Sequence, residues 1–349
     1  MSAAASRSHP KGWARQITAL KGSAAPGPGF SLGTRRAPTM RRRDFLGACG
    51  IGLAGIFVPR RPTRGDVFVE RWSWAMGQAV HLMVYAESEQ AGLDACAAAL
   101  AELRRVEARL TLFDDASDLC ELNRRAGKRA MHVDRDLAAV LALAEGFRRA
   151  TGGAFNVAVE PLMRTWGFHR PRTTPPSASE LAEARAAVAT AVVRLAGDVA
   201  RLPSAHTQLD FGSIGVGYGI DRALAVLRAR GIRRAFLDVS GDVAARGGPP
   251  GEAGWLVGIA DPDRAGATRT TVRLRDAALA TAANTVSLVR YGSLVAGHVM
   301  DPATGWPARA LTQASVVTRA AVAADALSTA MLVSGRAPVD VMRSYAVRG

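Results

Sequence analysis

From residue 66 to residue 333 the apolar side chains switch between a period of two and a period near 3.6 without settling into a regular strand–helix–strand beat. No internal repeat of solenoid or propeller length recurs either. A chain patterned this way predicts a mixed α/β (α+β) fold, built as one unit over residues 65–349 or as two lobes with a site between them. Residues 66–86 alternate polar and apolar side chains and read as two strands meeting near Gly77. Helical spacing follows over 91–110 and stops at the polar cluster LTLFDDASD. It returns over 134–150, where Gly152 and Gly153 favour a left-handed cap. Ser177 and Glu180 have capping-box spacing ahead of a helix reaching about Thr190. A further helix is expected over 221–230, closed by Gly231. Strands are expected over 232–239, 255–260 and 270–275, and a last helix over 321–333.

Charge divides the chain. The net formal charge is +15, yet twelve basic residues and only Asp44 among the acids lie within residues 1–64, so the remainder carries just +4. Its arginines are scattered among acids, which gives no electrostatic footprint for nucleic acid, and a nucleic-acid partner is excluded on that ground. From Met40 the sequence reads MRRRDFLGACGIGLAGIFVPRR, similar to a twin-arginine export signal: Arg42 and Arg43 precede an uncharged, Gly-rich stretch over 45–58 that is too short for a membrane span. The expected organisation is therefore a leader over 1–39 that is untranslated or disordered, a signal over 40–64 and an exported, periplasmic domain over 65–349. Membrane contact would then come only through the signal or a target protein. Cys96 and Cys120 leave room for at most one bridge after the signal, and no CxxC or Cys/His cluster exists.

Four segments are suited to chemistry, each with a plain structural alternative. LDFGSIGVGYGID, 209–221, joins a strand to a helix with glycines at 212, 215, 217 and 219. Such a junction brings backbone amides to a phosphate, or is simply a tight crossover, and it matches neither dinucleotide nor P-loop spacing. Ser240-Gly241-Asp242 puts a carboxylate at a strand end, facing a ligand or closing a turn. Among the six histidines, His298 alone has an acid, glycine and proline constellation beside it, in GHVMDPATGWP. It reads as a general base supported by Asp301, or as a surface turn. In ADALST, Asp325 and Thr329 share one face of a helix and can share a hard cation, or Asp325 is an ordinary helix-start acid.

These segments occur in one order with MGQ at 76–78, SDLCELN at 117–123, TGGAFNVAVEPLMRTWGF at 151–168, WLVGIADP at 255–262 and ALAT at 278–281. Taken together they resemble the FAD:protein FMN transferase family, also called ApbE, over about residues 76–335. The resemblance implies an ApbE-like fold and Mg²⁺-dependent transfer of FMN from FAD to a threonine of a target flavoprotein, with release of AMP. It implies His298 as the base with Asp301 supporting its loop, and Met76, Asn123, Glu160, Ser240, Gly241, Asp242 and Thr281 lining the flavin pocket. The metal would be held by Asp325, Thr329 and the carbonyl of Gly215. Several positions depart from the family pattern: Val216 stands where lysine is usual, Asn156 where aspartate is, and Gln78, Ser240, Ala282 and Ala283 also differ. The missing lysine keeps two other readings open, an FAD pyrophosphatase giving FMN and AMP, and a non-catalytic FAD-binding maturation partner of a respiratory complex.

Overall fold

The computed structural model describes residues 56–57 and 66–337. The leader and signal expected at 1–39 and 40–64 lie outside the described residues, apart from the two-residue strand β1 (Ile56–Phe57). Strands β2 (Val67–Ala75) and β3 (Gln78–Ala86) form the expected hairpin, turning on Met76 and Gly77 at φ of 56° and 66°. Helix α1 (Glu89–Leu110) starts on the Ser88 side chain and holds that turn, because the Glu107 carboxylate accepts from the Met76 and Gly77 amides at 2.8 Å each. A short helix α2 (Asp118–Arg124), strand β4 (Met131–His132) and helix α3 (Arg135–Ala150) follow, and α3 ends on Gly152 and Gly153, both at positive φ. A 3₁₀ turn runs into α4 (Glu160–Thr165). The capping box of Ser177 and Glu180 is formed at the start of α5 (Ala178–Ala189).

Beyond strands β5 (Arg194–Ala196) and β6 (Val199–Arg201) comes α6 (Gly215–Ala229), then β7 (Arg234–Val239), β8 (Asp242–Arg246), β9 (Trp255–Ala260), β10 (Thr268–Leu274) and β11 (Ala277–Ala283). The chain continues through β12 (Leu288–Tyr291), β13 (Leu294–Gly297) and β14 (Gln313–Thr318) to α7 (Ala321–Ser334). Six strands make one antiparallel sheet in the order β14-β11-β8-β7-β3-β2. Alternation along β3 decides its two faces. Val80, Leu82 and Val84 pack with Leu103 of α1 and Ile220 and Leu227 of α6, while Met83 and Tyr85 pack with Trp255 and Val257 of β9. A second, mostly helical core gathers Leu119, Leu137, Phe147, Phe155 and Leu327. The fold is therefore mixed α/β, with a sheet half and a helical half that share α6 and α7. No helix among the described residues is long and apolar enough to cross a membrane.

The largest difference from the sequence expectation is α6, which starts at Gly215 rather than at 221. Glycine weakens a helix by about 1 kcal/mol against alanine, so a run with four of them reads locally as a loop. Packing reverses that preference. A Cβ on Gly217 would lie 2.4 Å from the Ala321 carbonyl oxygen and 2.8 Å from Asp325 Cβ, so only glycine lets α6 and α7 approach this closely. The two helices also cap each other. Asp325 of α7 accepts from the Gly217 amide at 3.0 Å, and Asp221 of α6 accepts from the Ala321 and Val322 amides at 2.8 and 2.9 Å.

Candidate active site

The crossing of α6 and α7 forms one corner of a cavity of about 390 Å³, the size of a small-molecule site. Its sheet-side wall includes Ser240, Gly241 and Asp242 at the tip of the β7–β8 hairpin, Thr281 on β11 and His298 just past β13. Asp325, Ser328 and Thr329 enter from α7, and Asn156, His169, Asp210 and Ser213 also line the cavity. Seven of the residues expected from sequence, Ser240, Gly241, Asp242, Thr281, His298, Asp325 and Thr329, thus come from segments far apart in the chain and meet in one cavity. The hairpin tip gets there by a two-residue loop. Ser240 and Gly241 take φ of 51° and 108°, the left-handed geometry that a tight hairpin needs, and the Gly241 amide is held at 2.8 Å by the Asp238 carboxylate.

Electrostatics in the α7 corner favour a cation. Burial, and then the neighbouring Asp242 charge, pushes the Asp325 carboxyl well above its ordinary range. Burial likewise lifts Asp242 to about 7, against a partly offsetting hydrogen bond from the Thr281 amide at 3.3 Å. Among the described residues no lysine or arginine lines the cavity. Two enclosed carboxylates with a threonine hydroxyl one helical turn from Asp325 are hard oxygen donors of the kind that divalent cations such as Mg²⁺ take. Across the cavity, burial lowers the affinity of His298 for a proton, so its ring is neutral at pH 7. Its Nδ1 is buried without a hydrogen-bond partner. Asn284 sets the ring's backbone: its amide accepts from Val299 N at 2.8 Å and donates to the Val299 and Ala308 carbonyls.

The other expected residues take different places. Asp301 does not line the cavity and closes its own turn, accepting from the Ala303 amide and the Thr304 hydroxyl at 2.9 Å each. Asn123 grips the backbone of Leu209, donating to its carbonyl and accepting from its amide, and so anchors the strand-like entry to the glycine-rich segment. Met76 packs on Gly219 of α6 through its thioether, and Gln78 of the same hairpin reaches the cavity instead. Glu160 is buried beneath the wall, bonded to Arg164 and His169, and faces a neighbouring groove. Gly215 is buried at the first residue of α6 and does not line the cavity. Val216, where the family pattern has lysine, packs in the core with Leu103 and Ile220 and turns no side chain toward the cavity. His169 and Asp210 carry no local sequence signal, because the contacts that gather them run between Glu160 at the start of α4 and two separate loops.

A family model described as the ApbE family matches residues 76–345. The chain belongs to the ApbE family. A Treponema pallidum protein named FAD:protein FMN transferase is 30% identical over 311 residues, covering 82% of this chain and 83% of that protein. A Rhodobacter capsulatus protein of the same name is 28% identical over 334 residues, covering 93% of this chain and 60% of the relative. Among solved ApbE structures, the ApbE protein of Thermotoga maritima superposes with a TM-score of 0.71 at 26% identity, covering 76% of this chain and 87% of that one. The ApbE-like fold expected from the motifs is the fold observed.

Proposed function

We propose that this ApbE-family chain is an FAD:protein FMN transferase, which moves FMN from FAD to a threonine of a target protein and releases AMP. The observation that carries this reading is the meeting of His298, Asp242, Asp325 and Thr329 in one cavity, in a chain whose relatives bear that name. Asp325 and Thr329 are the side chains suited to hold Mg²⁺, with Asp242 facing them. The ion would neutralise charge building on the phosphate oxygens as the phosphoanhydride breaks. The threonine hydroxyl oxygen attacks the phosphorus on the FMN side. As that P–O bond forms, the bridging P–O bond to AMP breaks and the hydroxyl proton passes to His298. A ring kept neutral by burial is already in the form that accepts it. Ser240, Gly241 and Thr281 line the remainder of the flavin pocket. The twin-arginine-like segment over 40–64 supports export, which makes the acceptor a periplasmic or membrane-associated redox protein.

His298→Gln separates base from scaffold. The amide keeps a polar side chain at the same place and cannot take a proton at neutral pH, so transfer to the acceptor should fall about 10²- to 10⁴-fold while FAD affinity stays within about threefold. Transfer rate with a threonine-bearing acceptor and FAD affinity by flavin fluorescence, measured on the same sample, decide the point. Parallel loss of both would make His298 a structural residue of the pocket.

A further inference from the structure

Besides the α7 corner the cavity carries a second organised group, built from the start of α4 and from loops. The Glu160 carboxylate, 2% exposed, bonds His169 Nδ1 on one side and Arg164 Nε at 3.0 Å on the other. Because Nδ1 is committed to Glu160, the ring orientation is fixed and its Nε2 edge is turned away from that carboxylate. Asp210 stands 3.8 Å from Nε2, within ion-pair range and too far for a hydrogen bond. The Phe113 ring and the imidazole pack edge to face at a centroid distance of 5.5 Å. His169 and Asp210 both line the cavity. The group therefore presents an N–H edge that is ion-paired with Asp210 and makes no hydrogen bond to it, leaving the donor open to a ligand oxygen.

The cavity as a whole explains why such a donor matters. Among the described residues its ionisable wall consists of Asp210, Asp242, Asp325, His169 and His298, with no lysine or arginine. A dinucleotide pyrophosphate carries negative charge into a wall with three carboxylates, so a cationic donor in the lining would serve its oxygens. We infer that His169, oriented by Glu160, is a cationic hydrogen-bond donor to the pyrophosphate of the dinucleotide, in the same cavity as the Asp325/Thr329 pair and separate from it. This assignment rests on the proposed FAD chemistry and adds a binding residue to it.

The charge state agrees with the geometry. Burial works to lower the proton affinity of His169, but the Glu160 hydrogen bond and the Asp210 charge outweigh it, so the ring stays protonated above its ordinary range, with Arg164 opposing weakly. Glu160 is itself partly neutralised by Arg164, and burial keeps the Asp210 carboxyl above its ordinary range. His298, across the cavity, shifts the opposite way, and the two rings feel each other. A pair of histidines driven apart in this manner gives one neutral acceptor and one cationic donor in a single site.

His169→Gln keeps a donor and removes the charge. The loss of a charge-assisted hydrogen bond should weaken FAD binding by the full-length protein about 10- to 100-fold at pH 6.5 and leave riboflavin, which has no phosphate, within twofold. The ratio of wild-type to variant FAD affinity should shrink as pH rises through the folded-state pKa of His169, because the wild-type ring then loses its proton. Asp242 and Asp325 titrate in both proteins, and because Asp210 and His298 feel the His169 charge, the protonation of His169 itself is followed through its ring proton shifts by NMR. His169→Lys should restore FAD affinity and hold it to higher pH. Equal FAD affinity for wild type and His169→Gln, or equal loss of riboflavin and FAD, overturns the role of His169 alone. Failure of the wild-type protein to bind FAD overturns the functional reading beneath it.

Discussion

Asp325→Asn is expected to lower FMN transfer about 10³-fold or more while leaving thermal unfolding in the presence of EDTA unchanged or slightly raised. The asymmetry follows from what the carboxylate does in the folded protein. Asp325 Oδ2 accepts from the Gly217 amide and stabilises the first turn of α6, and an asparagine carbonyl oxygen makes the same bond. The charge, in contrast, is buried and faces Asp242, so it costs stability when no cation balances it. Asparagine removes that cost and also removes the strongest oxygen ligand in the corner, which is worth several kcal/mol of transition-state stabilisation. AMP release and an unfolding midpoint measured on one preparation separate the two effects. A variant that unfolds far below wild type would make Asp325 chiefly a structural cap, and undiminished AMP release would remove it from the reaction.

Gly217→Ala should have the largest effect on folding. The added methyl meets the Ala321 carbonyl oxygen at 2.4 Å, its carbon at 2.7 Å and Asp325 Cβ at 2.8 Å, and two of these are backbone atoms that no rotamer change can move. Separation of α6 from α7 by even a fraction of an ångström breaks both caps at once, since Asp325 and Asp221 each span the crossing. A cost of about 3 kcal/mol or more is expected, with loss of transfer because Asp325 moves with α7. Gly146→Ala is the control. It lies inside α3 with open space where the Cβ would go, so the gain in helix propensity should raise stability by about 1 kcal/mol. Denaturant midpoints for the two variants should move in opposite directions. A Gly217→Ala protein as stable as wild type would mean that the helices meet differently from the arrangement described.

The contrast between these glycines also marks what was legible in the sequence. The β2–β3 hairpin, α1, α3, α5 and α7 follow from periodicity and caps that act within a few residues, and Ser177 with Glu180 forms the box its spacing promised. α6 was cut short because its glycines cost helix propensity locally and are repaid only by a contact more than a hundred residues away. In the site, Ser240-Gly241-Asp242 and His298 were legible because a tight turn and a loop with its own proline and acid leave a local signature. Asn123 and Asp301 carry equally marked motifs, yet their polar atoms are used locally, Asn123 on the Leu209 backbone and Asp301 on the Ala303 amide and Thr304 hydroxyl of its own turn. His169 has no acid beside it in sequence. Its partners are Glu160, nine residues upstream, and Asp210 on a separate loop, and only the folded chain joins them.

The most direct test of the central claim is to incubate the purified protein with FAD, Mg²⁺ and an acceptor protein carrying a flavinylation-type threonine, then follow AMP release and acceptor-bound flavin fluorescence together. The expected result is covalent flavin on the acceptor in equal amount to AMP, abolished by EDTA and by replacing the acceptor threonine with alanine. AMP formed without labelled acceptor would contradict transfer and make the protein a pyrophosphatase. Tight FAD binding with no AMP would contradict catalysis altogether.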